Sequence, residues 1–416
     1  MHSTGVISMQ AQKVFSEIEE LKTDMTRVLM ELIRIPAVSP ENGGEGELMK
    51  AERLIKILDD AGFDKIERHD ATDERVPSKK RPNIIAYCQG EKTAEKLWIV
   101  THLDIVPPGE DSFWTVTKPF EPLVKDGRVY GRGSEDNTQS TVASIFAMKA
   151  LKNLKVKPKR TVALCFVADE EQESTYGIRH LIKQHLFKAE DLVVVPDGGR
   201  EDGSFIEIAE KSVLWLRMRT IGKQTHASRP ETGLNANRIG MQYALALDKI
   251  LHKEYPARDK SFDPPTSTFE PTKRDKNVDA VNIVPGEDTN HFDCRILPRY
   301  SPDEVLGTVR TVAADFEKKT GAKIEIEVVH KTVAPKPTDA DARVVVMLKE
   351  AIRKSLKVRL KVGGIGGGTC AAYFREVGIP AVVWGAMDEV AHAANEYAKT
   401  ENLVKEAKVF AYLATL

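Results

Sequence analysis

The chain is organised around Leu97-Trp98-Ile99-Val100-Thr101-His102-Leu103-Asp104-Ile105-Val106-Pro107-Pro108-Gly109, an apolar run that ends at a histidine and an aspartate before two prolines and a glycine. Such a run, bounded by turn residues, predicts a strand buried on both faces. Ligands of open α/β sheets bind outside the carboxyl ends of the strands. We therefore predict a buried strand that delivers His102 and Asp104 to a sheet edge.

His102 and Asp104 have two interpretations from the sequence alone. If the two residues form a functional site, one side chain would bind a metal ion and the other would hold the first in position. A metal-bound histidine usually donates its second ring N–H to a carboxylate or carbonyl. Alternatively, the pair is a capped strand end with a solvated aspartate. His-x-Asp is too short a motif to decide between the two.

Length and composition predict two domains and exclude several classes of protein. A chain of 416 residues with 41% hydrophobic residues is too long for one ordinary core and can bury two. Its net charge of −1, with both signs mixed along the chain, argues against a nucleic-acid or polyanion binder. Four scattered cysteines without a CxxC pair argue against disulfides and thiolate zinc sites, and favour a reducing cytoplasm.

The sequence gives no sign of a membrane-spanning or secretory segment. No apolar run reaches transmembrane length. Residues 1–8 are too short and polar for the apolar region of a signal peptide, and Met9 is an alternative start. We therefore expect a protein without membrane association.

Two later apolar runs also end in acidic residues. Residues 161–167 lead into Asp169-Glu170-Glu171, and residues 192–195 lead into Asp197. Carboxylates this close cannot all ionise unless their pKa values rise or a cation binds, so Glu170 and Glu171 would divide the roles of general base and metal ligand. The alternative is an acidic helix N-terminus, which the helix dipole favours.

Further candidates follow glycine-rich and histidine-containing motifs. In Gly131-Arg132-Gly133-Ser134-Glu135-Asp136 the glycines allow a tight turn that presents Asp136 at the mouth of a helix over 143–151. The combined set supplies two imidazoles and three carboxylates, from His102, Asp136, Glu171, Asp197 and His392. Such a set is the composition of a dinuclear zinc-type site, in which a bridging water is acidified and a free carboxylate takes its proton.

The order of elements predicts a small domain inserted into a larger one. Apolar spacing predicts a first helix over 10–34, ended by Pro36. Between 214 and 329 the predicted order is β-α-β-β-α-β, typical of a small two-layer domain. We therefore expect a catalytic domain formed by 1–212 and 332–416, and an inserted domain over 213–331.

Taken in order, these motifs closely resemble the M20 family of metallopeptidases and amidohydrolases, which includes acetylornithine deacetylase, succinyl-diaminopimelate desuccinylase, aminoacylase-1 and carboxypeptidase G2. The motifs are His102-Leu103-Asp104, Gly131–Asp136, Asp169-Glu170-Glu171, Pro196-Asp197-Gly198, Gly222-Lys223 with His226-Ala227-Ser228, Asn282 with Pro285, and His392-Ala393-Ala394-Asn395-Glu396. The resemblance implies a mixed-sheet α/β catalytic domain of the zinc-peptidase type and an inserted ferredoxin-like α+β lid.

The resemblance also assigns roles in the catalytic domain. It implies two divalent ions per chain, Zn²⁺ with Co²⁺ and Mn²⁺ as alternatives. His102 and Asp197 would hold one ion, Glu171 and His392 the other, and Asp136 would bridge them. Glu170 would be the general base. The supporting role of Asp104 follows from its position two residues after His102 and not from the resemblance.

The lid residues take their roles from the resemblance alone. It implies a homodimer formed through the lid, with His226 reaching the active site of the partner subunit to stabilise the oxyanion and Asn282 as its companion. Arg295 would bind a substrate carboxylate. Outside the lid, Gly368 and Thr369 of the catalytic domain would line the pocket through backbone N–H groups. Without the resemblance, His226 is an ordinary loop histidine and Arg295 a surface strand arginine.

Two departures from the family pattern leave the substrate open. The chain has Gly367-Gly368-Thr369-Cys370 where desuccinylases and deacetylases commonly carry Gly-Thr-Ser-Asp, and Asn137-Thr138 where a Met-Lys pair is commoner. We predict a metal-dependent hydrolase that cleaves the amide bond of N-acyl amino acids or small peptides. A dipeptidase or N-carbamoyl amino acid hydrolase is the alternative within the family, and a non-catalytic metal- or peptide-binding member is a remote one.

Overall fold

The computed structural model describes residues 8–416. The expectation about the N-terminal segment concerns residues 1–8, of which residues 1–7 lie outside this range. In the part of the chain that is described, no helix combines the length and apolar character needed to cross a membrane.

In chain order, the α-helices of residues 8–416 are α1 (Met9–Glu20), α2 (Lys22–Ile33), α3 (Leu48–Ala61), α4 (Ser140–Asn153), α5 (Ile178–Lys183), α6 (Ala236–Glu254), α7 (Pro302–Thr320), α8 (Arg343–Leu356), α9 (Ala371–Glu376) and α10 (Thr400–Thr415). The strands are β1 (Lys65–Arg68), β2 (Ala71–Thr72), β3 (Lys80–Arg81), β4 (Ile84–Cys88), β5 (Lys92–His102), β6 (Leu123–Lys125), β7 (Arg128–Tyr130), β8 (Arg160–Val167), β9 (Leu192–Gly199), β10 (Phe205–Glu210), β11 (Ser212–Ile221), β12 (Thr225–His226), β13 (Thr268–Arg274), β14 (Ile283–Val284), β15 (Glu287–Ile296), β16 (Lys323–Thr332), β17 (Lys361–Ile365), β18 (Ala381–Gly385) and β19 (Tyr397–Lys399).

The chain divides into two compact units. The first contains the chain up to Ile208, Pro337–Val362 and Thr369–Leu416, and the second contains Ala209–Lys336 and Gly363–Gly368. The boundaries near 208 and 337 lie a few residues from those proposed from the sequence. The second unit also takes in the glycine-rich segment Gly363–Gly368, which the sequence analysis placed in the catalytic domain.

The largest sheet has the strand order β1-β4-β8-β5-β9-β18-β10-β17. Its centre is parallel, since β5 pairs in parallel with both β8 and β9, and β9 pairs in parallel with β18. Its margins are antiparallel, where β4 pairs with β8 and β10 with β18. The predicted mixed α/β sheet is therefore confirmed.

Strand β5 is buried on both faces, which explains its continuous apolar sequence. Leu97 and Ile99 belong to one hydrophobic core together with residues of α4 and α10. Trp98 and Val100 belong to a second core with residues of α5 and α9. Alternate side chains thus enter different cores, so the strand shows no alternation of polar and apolar residues.

The second unit contains a four-stranded antiparallel sheet in the order β13-β15-β11-β16. Along the chain its main elements are β11, α6, β13, β15, α7 and β16, which is the predicted β-α-β-β-α-β order. Leu214, Leu216 and Met218 of β11 pack in one core with residues of α6 and α7. This is the two-layer, ferredoxin-like arrangement expected for the lid.

One predicted helix is two helices in the structure. The segment expected to be a single helix over 10–34 consists of α1 and α2, separated at Leu21. The backbone there has φ −77° and ψ −3°, which departs from helical ψ. Buried apolar residues continue at helical spacing on both sides, from Ile18 to Met25, so the periodicity could not reveal the break.

Glu406 of α10 is a buried acid that influences the stability of the first unit. Its carboxylate accepts hydrogen bonds from Ala386 N, Gln139 Nε2 and Ser140 Oγ. Burial nevertheless raises the pKa of Glu406 from its ordinary value of 4.5 to about 7. The folded protein therefore retains a proton that the unfolded chain releases as the pH rises through this window.

We expect Glu406→Gln to change how stability depends on pH. Between about pH 4.5 and 7 the stability that wild-type Glu406 contributes falls as pH rises, whereas glutamine does not ionise. Relative to wild type, the variant should gain about 3.5 kcal/mol across the window, at about 1.4 kcal/mol for each of the 2.5 units separating the two pKa values. Urea unfolding at a series of pH values measures this, with exposed Glu401→Gln on the same helix as control. Parallel curves for wild type and Glu406→Gln would contradict the expectation.

Candidate metal centre

The candidate ligands converge at the carboxyl ends of three neighbouring parallel strands. His102 is the last residue of β5, Glu170 and Glu171 follow β8, and Asp197 lies near the end of β9. Because β8, β5 and β9 are adjacent in the sheet, these side chains reach one place. The acidic segment after β8 is a turn, and the next helix begins only at Ile178, so the alternative of an acidic helix N-terminus is wrong.

Asp136 lies between the two histidines. Its Oδ1 is 2.8 Å from His102 Nε2, and its Oδ2 is 3.0 Å from His392 Nε2. Asp197 Oδ1 lies 3.4 Å from His102 Nε2, and Glu171 Oε2 lies 3.1 Å from His392 Nε2. Each imidazole is thus beside one oxygen of Asp136 and one oxygen of a second carboxylate.

These side chains fit divalent cations. Ligand atoms of His102, Asp136 and Glu171 lie within 4.8 Å of one another, as do those of His102, Glu170 and Asp197. Glu171 Oε1 is buried and has no hydrogen-bond partner among residues 8–416. A buried carboxylate oxygen without a donor needs a cation or a proton. Nitrogen and carboxylate ligands without thiolates suit Zn²⁺, Co²⁺ and Mn²⁺.

Burial and crowding change the pKa values in this cluster. Burial, followed by the charge of Asp197, raises the pKa of Glu170 well above its ordinary value. Burial and the neighbouring Asp136 raise the pKa of Glu171 to about 7. Both glutamates of the acidic turn therefore hold protons more tightly than a solvated glutamate does.

Asp104 supports the cluster differently from the expectation. His102 Nδ1 is 3.0 Å from the backbone oxygen of Asp104, and the Asp104 carboxylate is 3.6 Å from the ring. That carboxylate accepts hydrogen bonds from Glu170 N and Glu171 N, both at 3.0 Å. Asp104 therefore orients the histidine through its backbone and fixes the acidic turn through its side chain.

Glu396 holds the segment that carries Asp136, a function the sequence analysis did not identify. Its carboxylate accepts hydrogen bonds from Gly133 N, Glu135 N and Asp136 N at 2.9 to 3.1 Å. Arg132 Nη1 donates to the same carboxylate at 2.6 Å. The signal available in the sequence was an acid four residues after His392.

Thr138, which stands where the family commonly has the lysine of a Met-Lys pair, forms a hydrogen bond with a residue of α3. Its hydroxyl accepts a hydrogen bond from Lys50 Nζ at 3.3 Å. Asn137, the first residue of the Asn137-Thr138 pair, donates from Nδ2 to Asp197 Oδ1 at 2.8 Å and to Pro196 O at 2.7 Å. Asn137 therefore orients Asp197.

The second unit carries four further candidates, which are His226, Asn282, Arg295 and Gly368. His226 is exposed on β12, and its Nδ1 lies 3.2 Å from the donor Ser228 N. The backbone oxygen of Asn282 accepts a hydrogen bond from Ala227 N at 2.9 Å. These contacts place His226 and Asn282 in adjacent segments of the same unit.

Arg295 of β15 is already engaged within the second unit. Its Nε and Nη2 donate to the two carboxylate oxygens of Asp293 at 2.7 and 2.9 Å, and its Nη1 donates to Gly366 O at 3.0 Å. A substrate carboxylate would have to displace Asp293 to use this planar fork. Its role in substrate binding stays a prediction.

The last two substrate-binding candidates are divided between the units. Gly368 belongs to the second unit and Thr369 to the first. Thr369 Oγ1 accepts a hydrogen bond from Ala371 N at 3.2 Å, at the beginning of α9. The neighbouring Cys370 is buried, and its Sγ lies 3.9 Å from Ser174 Oγ.

Imidazoles and carboxylates gathered at this edge of the parallel sheet define the class of the protein as one with a candidate site for divalent metal ions. Comparison with known proteins gives the family. The family model described as peptidase family M20/M25/M40 matches residues 98–416. The chain belongs to this family, as the sequence resemblance indicated, and is a hydrolase of amide bonds.

Individual relatives agree with this assignment. A protein named uncharacterized metallohydrolase from Methanocaldococcus jannaschii is 39% identical over 94% of this chain and 98% of its own length. A succinyl-diaminopimelate desuccinylase from Nautilia profundicola is 27% identical over 85% of this chain and 93% of its own. The crystal structure of human carnosine dipeptidase 1 has a TM-score of 0.77 and 16% identity, covering 98% of each chain, and shows the likeness of fold.

We expect Asp104→Asn to weaken metal binding by about 10- to 100-fold, the usual effect of losing a residue that supports a ligand. Asparagine can accept through one oxygen only, so its NH₂ group would face one of the two N–H groups of Glu170 and Glu171. Equilibrium dialysis against Zn²⁺ followed by metal analysis measures the affinity. Exposed Asp111→Asn is the control, and identical zinc occupancy of the two variants at every concentration would refute the role of Asp104.

Proposed function

We propose that the protein uses two divalent metal ions to cleave the amide bond of an N-acyl amino acid or a small peptide. The observation that carries the proposal is the Asp136 carboxylate between His102 and His392, with one oxygen near each ring. His102 and Asp197 would hold one ion, Glu171 and His392 the other, and Asp136 would bridge them. Zn²⁺ is the proposed metal, with Co²⁺ and Mn²⁺ as alternatives.

The residues of the first unit would divide the chemistry. When bound, two such cations acidify a water molecule and polarise the carbonyl group of the substrate. Glu170 would accept the proton of that water and later deliver it to the nitrogen of the leaving group. Its raised pKa, caused first by burial and then by the charge of Asp197, supports this role, because it makes Glu170 a stronger base than a solvated carboxylate. Asp104 would keep Glu170 in place by accepting its backbone N–H.

We further propose a homodimer formed through the lid, over 213–331, in which His226 serves the active site of the partner subunit. Ser228 N donates to Nδ1, so the neutral ring of His226 carries its proton on Nε2. That exposed Nε2–H would donate to the oxyanion, with Asn282 beside it. Strand β16 is an edge of the lid sheet, and Val328 and Val329 on it are 39% and 54% exposed, which favours pairing with a second copy.

The substrate would be selected by Arg295, Gly368 and Thr369. Arg295 would bind a carboxylate by exchanging Asp293 for it, and the backbone N–H groups of Gly368 and Thr369 would line the pocket. The alternatives within the family are a dipeptidase and an N-carbamoyl amino acid hydrolase. The proposed cytoplasmic location is supported by four buried cysteines that are all free thiols.

Glu170→Ala should reduce hydrolysis by about 10² to 10⁴-fold while metal content stays near that of wild type, because the lost group moves a proton. Activity is measured on acetyl, succinyl and carbamoyl amino acids and on dipeptides, and the compound that wild type cleaves distinguishes the alternatives. Exposed Glu173→Ala, three residues along the chain, is the matched control. Turnover by Glu170→Ala at the rate of this control would remove Glu170 as the base.

Mixing two inactive variants should restore activity if His226 acts across a dimer. A heterodimer of a Glu170→Ala chain and a His226→Ala chain contains one site with both an intact Glu170 and an intact His226 from its partner. After subunit exchange, verified by native mass spectrometry, we expect about half the wild-type activity per heterodimer, since one of its two sites is complete.

Two results would count against the crossed arrangement. Full exchange without regained activity would require His226 to be reassigned. Sedimentation of an active species with the mass of a single chain would remove the dimer from the proposal.

A further inference from the structure

Lys50 is a buried lysine in the first turn of α3. Its side chain is 4% exposed, although lysine is almost never buried unless it is paired. Burial lowers the pKa of Lys50 to about 8, so at neutral pH the side chain is an ammonium ion. A buried charge of this kind needs hydrogen-bond or charged partners that offset the free-energy cost of its desolvation.

The partners of Lys50 come from two segments that carry proposed ligands. Its Nζ donates to Leu103 O at 3.0 Å and to Thr138 Oγ1 at 3.3 Å. Leu103 lies between His102 and Asp104, and Thr138 lies two residues after Asp136. One ammonium group therefore joins the end of β5 to the turn that precedes α4.

The negative charges around the centre favour a cation at the position of Lys50. The carboxylates of Asp104, Glu396 and Asp136 all act electrostatically on Lys50. Two divalent ions would balance the four carboxylates proposed as ligands and base, which are Asp136, Glu170, Glu171 and Asp197. The negative charge of Asp104 would remain, and Lys50 lies where it offsets that charge.

The same turn of α3 is fixed to the acidic segment after β8. Glu47, which precedes α3, forms a bidentate pair with Arg81, with distances of 2.6 and 2.8 Å. Arg81 Nη2 also lies 3.3 Å from Asp169 Oδ1, next to Glu170. The backbone that carries Lys50 is therefore held against a third segment of the centre.

We propose that Lys50 is a positioning residue whose ammonium sets the separation of the His102 and Asp136 segments and thereby the affinity of the centre for its metal ions. The inference rests on the proposed two-metal site. Removing the ammonium leaves Leu103 O and Thr138 Oγ1 without a buried donor and Asp104 without a compensating charge.

The test compares Lys50→Met with Lys56→Met, an exposed lysine on the same helix. Metal-free protein is titrated with Co²⁺ while its visible absorption reports the geometry of the ligands. We expect Lys50→Met to bind Co²⁺ about 10- to 100-fold more weakly than Lys56→Met and to show shifted absorption bands. An affinity within about threefold of Lys56→Met, with the same bands, would overturn the inference.

Two further variants strengthen the test. The double variant Lys50→Met/Thr138→Lys moves the ammonium group to the side chain of residue 138, whose hydroxyl contacts Lys50 Nζ in wild type. A Co²⁺ affinity about tenfold or more above that of Lys50→Met supports a positional role. If Lys50→Met does not fold by circular dichroism, Thr138→Val removes one acceptor and keeps the charge. A loss of affinity of about threefold or more in Thr138→Val then supports the inference, and a smaller change overturns it.

His102→Ala separates failure of this inference from failure of the proposed function. Loss of Co²⁺ binding in His102→Ala together with normal binding in Lys50→Met would reject only the role of Lys50. Unchanged binding in His102→Ala would reject the metal site itself.

Discussion

The mutual repulsion of closely spaced carboxylates is the constraint on which the first unit depends. Asp136, Glu170, Glu171 and Asp197 all lie near His102 or His392, and burial together with the neighbouring carboxylates raises the pKa values of Glu170 and Glu171. Such a cluster is stable only if its segments are held rigidly and its charge is offset. Much of the surrounding structure either holds these segments rigidly or offsets the charge of the cluster.

Other buried acids provide the rigidity by accepting backbone N–H groups from the segments that carry the proposed ligands. Asp104 holds the turn of Glu170 and Glu171, and Glu396 holds the turn of Asp136. Glu135 accepts from Asp388 N, Val390 N and Ala391 N, just before His392. An acid next to one proposed ligand thus fixes the segment of another, so the parts of the centre are mutually dependent.

The sequence predicted the strand ends well because they have a local signature. The runs before His102, Glu170 and Asp197 are apolar in almost every position, as burial on both faces requires, and parallel strands bring their carboxyl ends together. Glu396, Glu135 and Lys50 have no such signature, because their partners lie 53 to 264 residues away along the chain. Hydrophobic periodicity reports local burial and carries no information about polar contacts between distant segments. The roles of His226, Asn282 and Arg295 stay predictions, since they depend on a substrate and a second subunit.

The insertion of the second unit has a consequence for the way the protein is made. His102, Asp136, Glu171 and Asp197 all precede Ala209, where the second unit begins, whereas His392 follows that unit. Domains generally fold as units from the N-terminus during synthesis. The growing chain would have to complete the inserted unit before His392 could reach Asp136, so a nascent chain holds at most one half of the proposed pair of ion sites. Hydrolytic competence would therefore arise only after His392 has been made, later than the candidate substrate-binding residues of the lid.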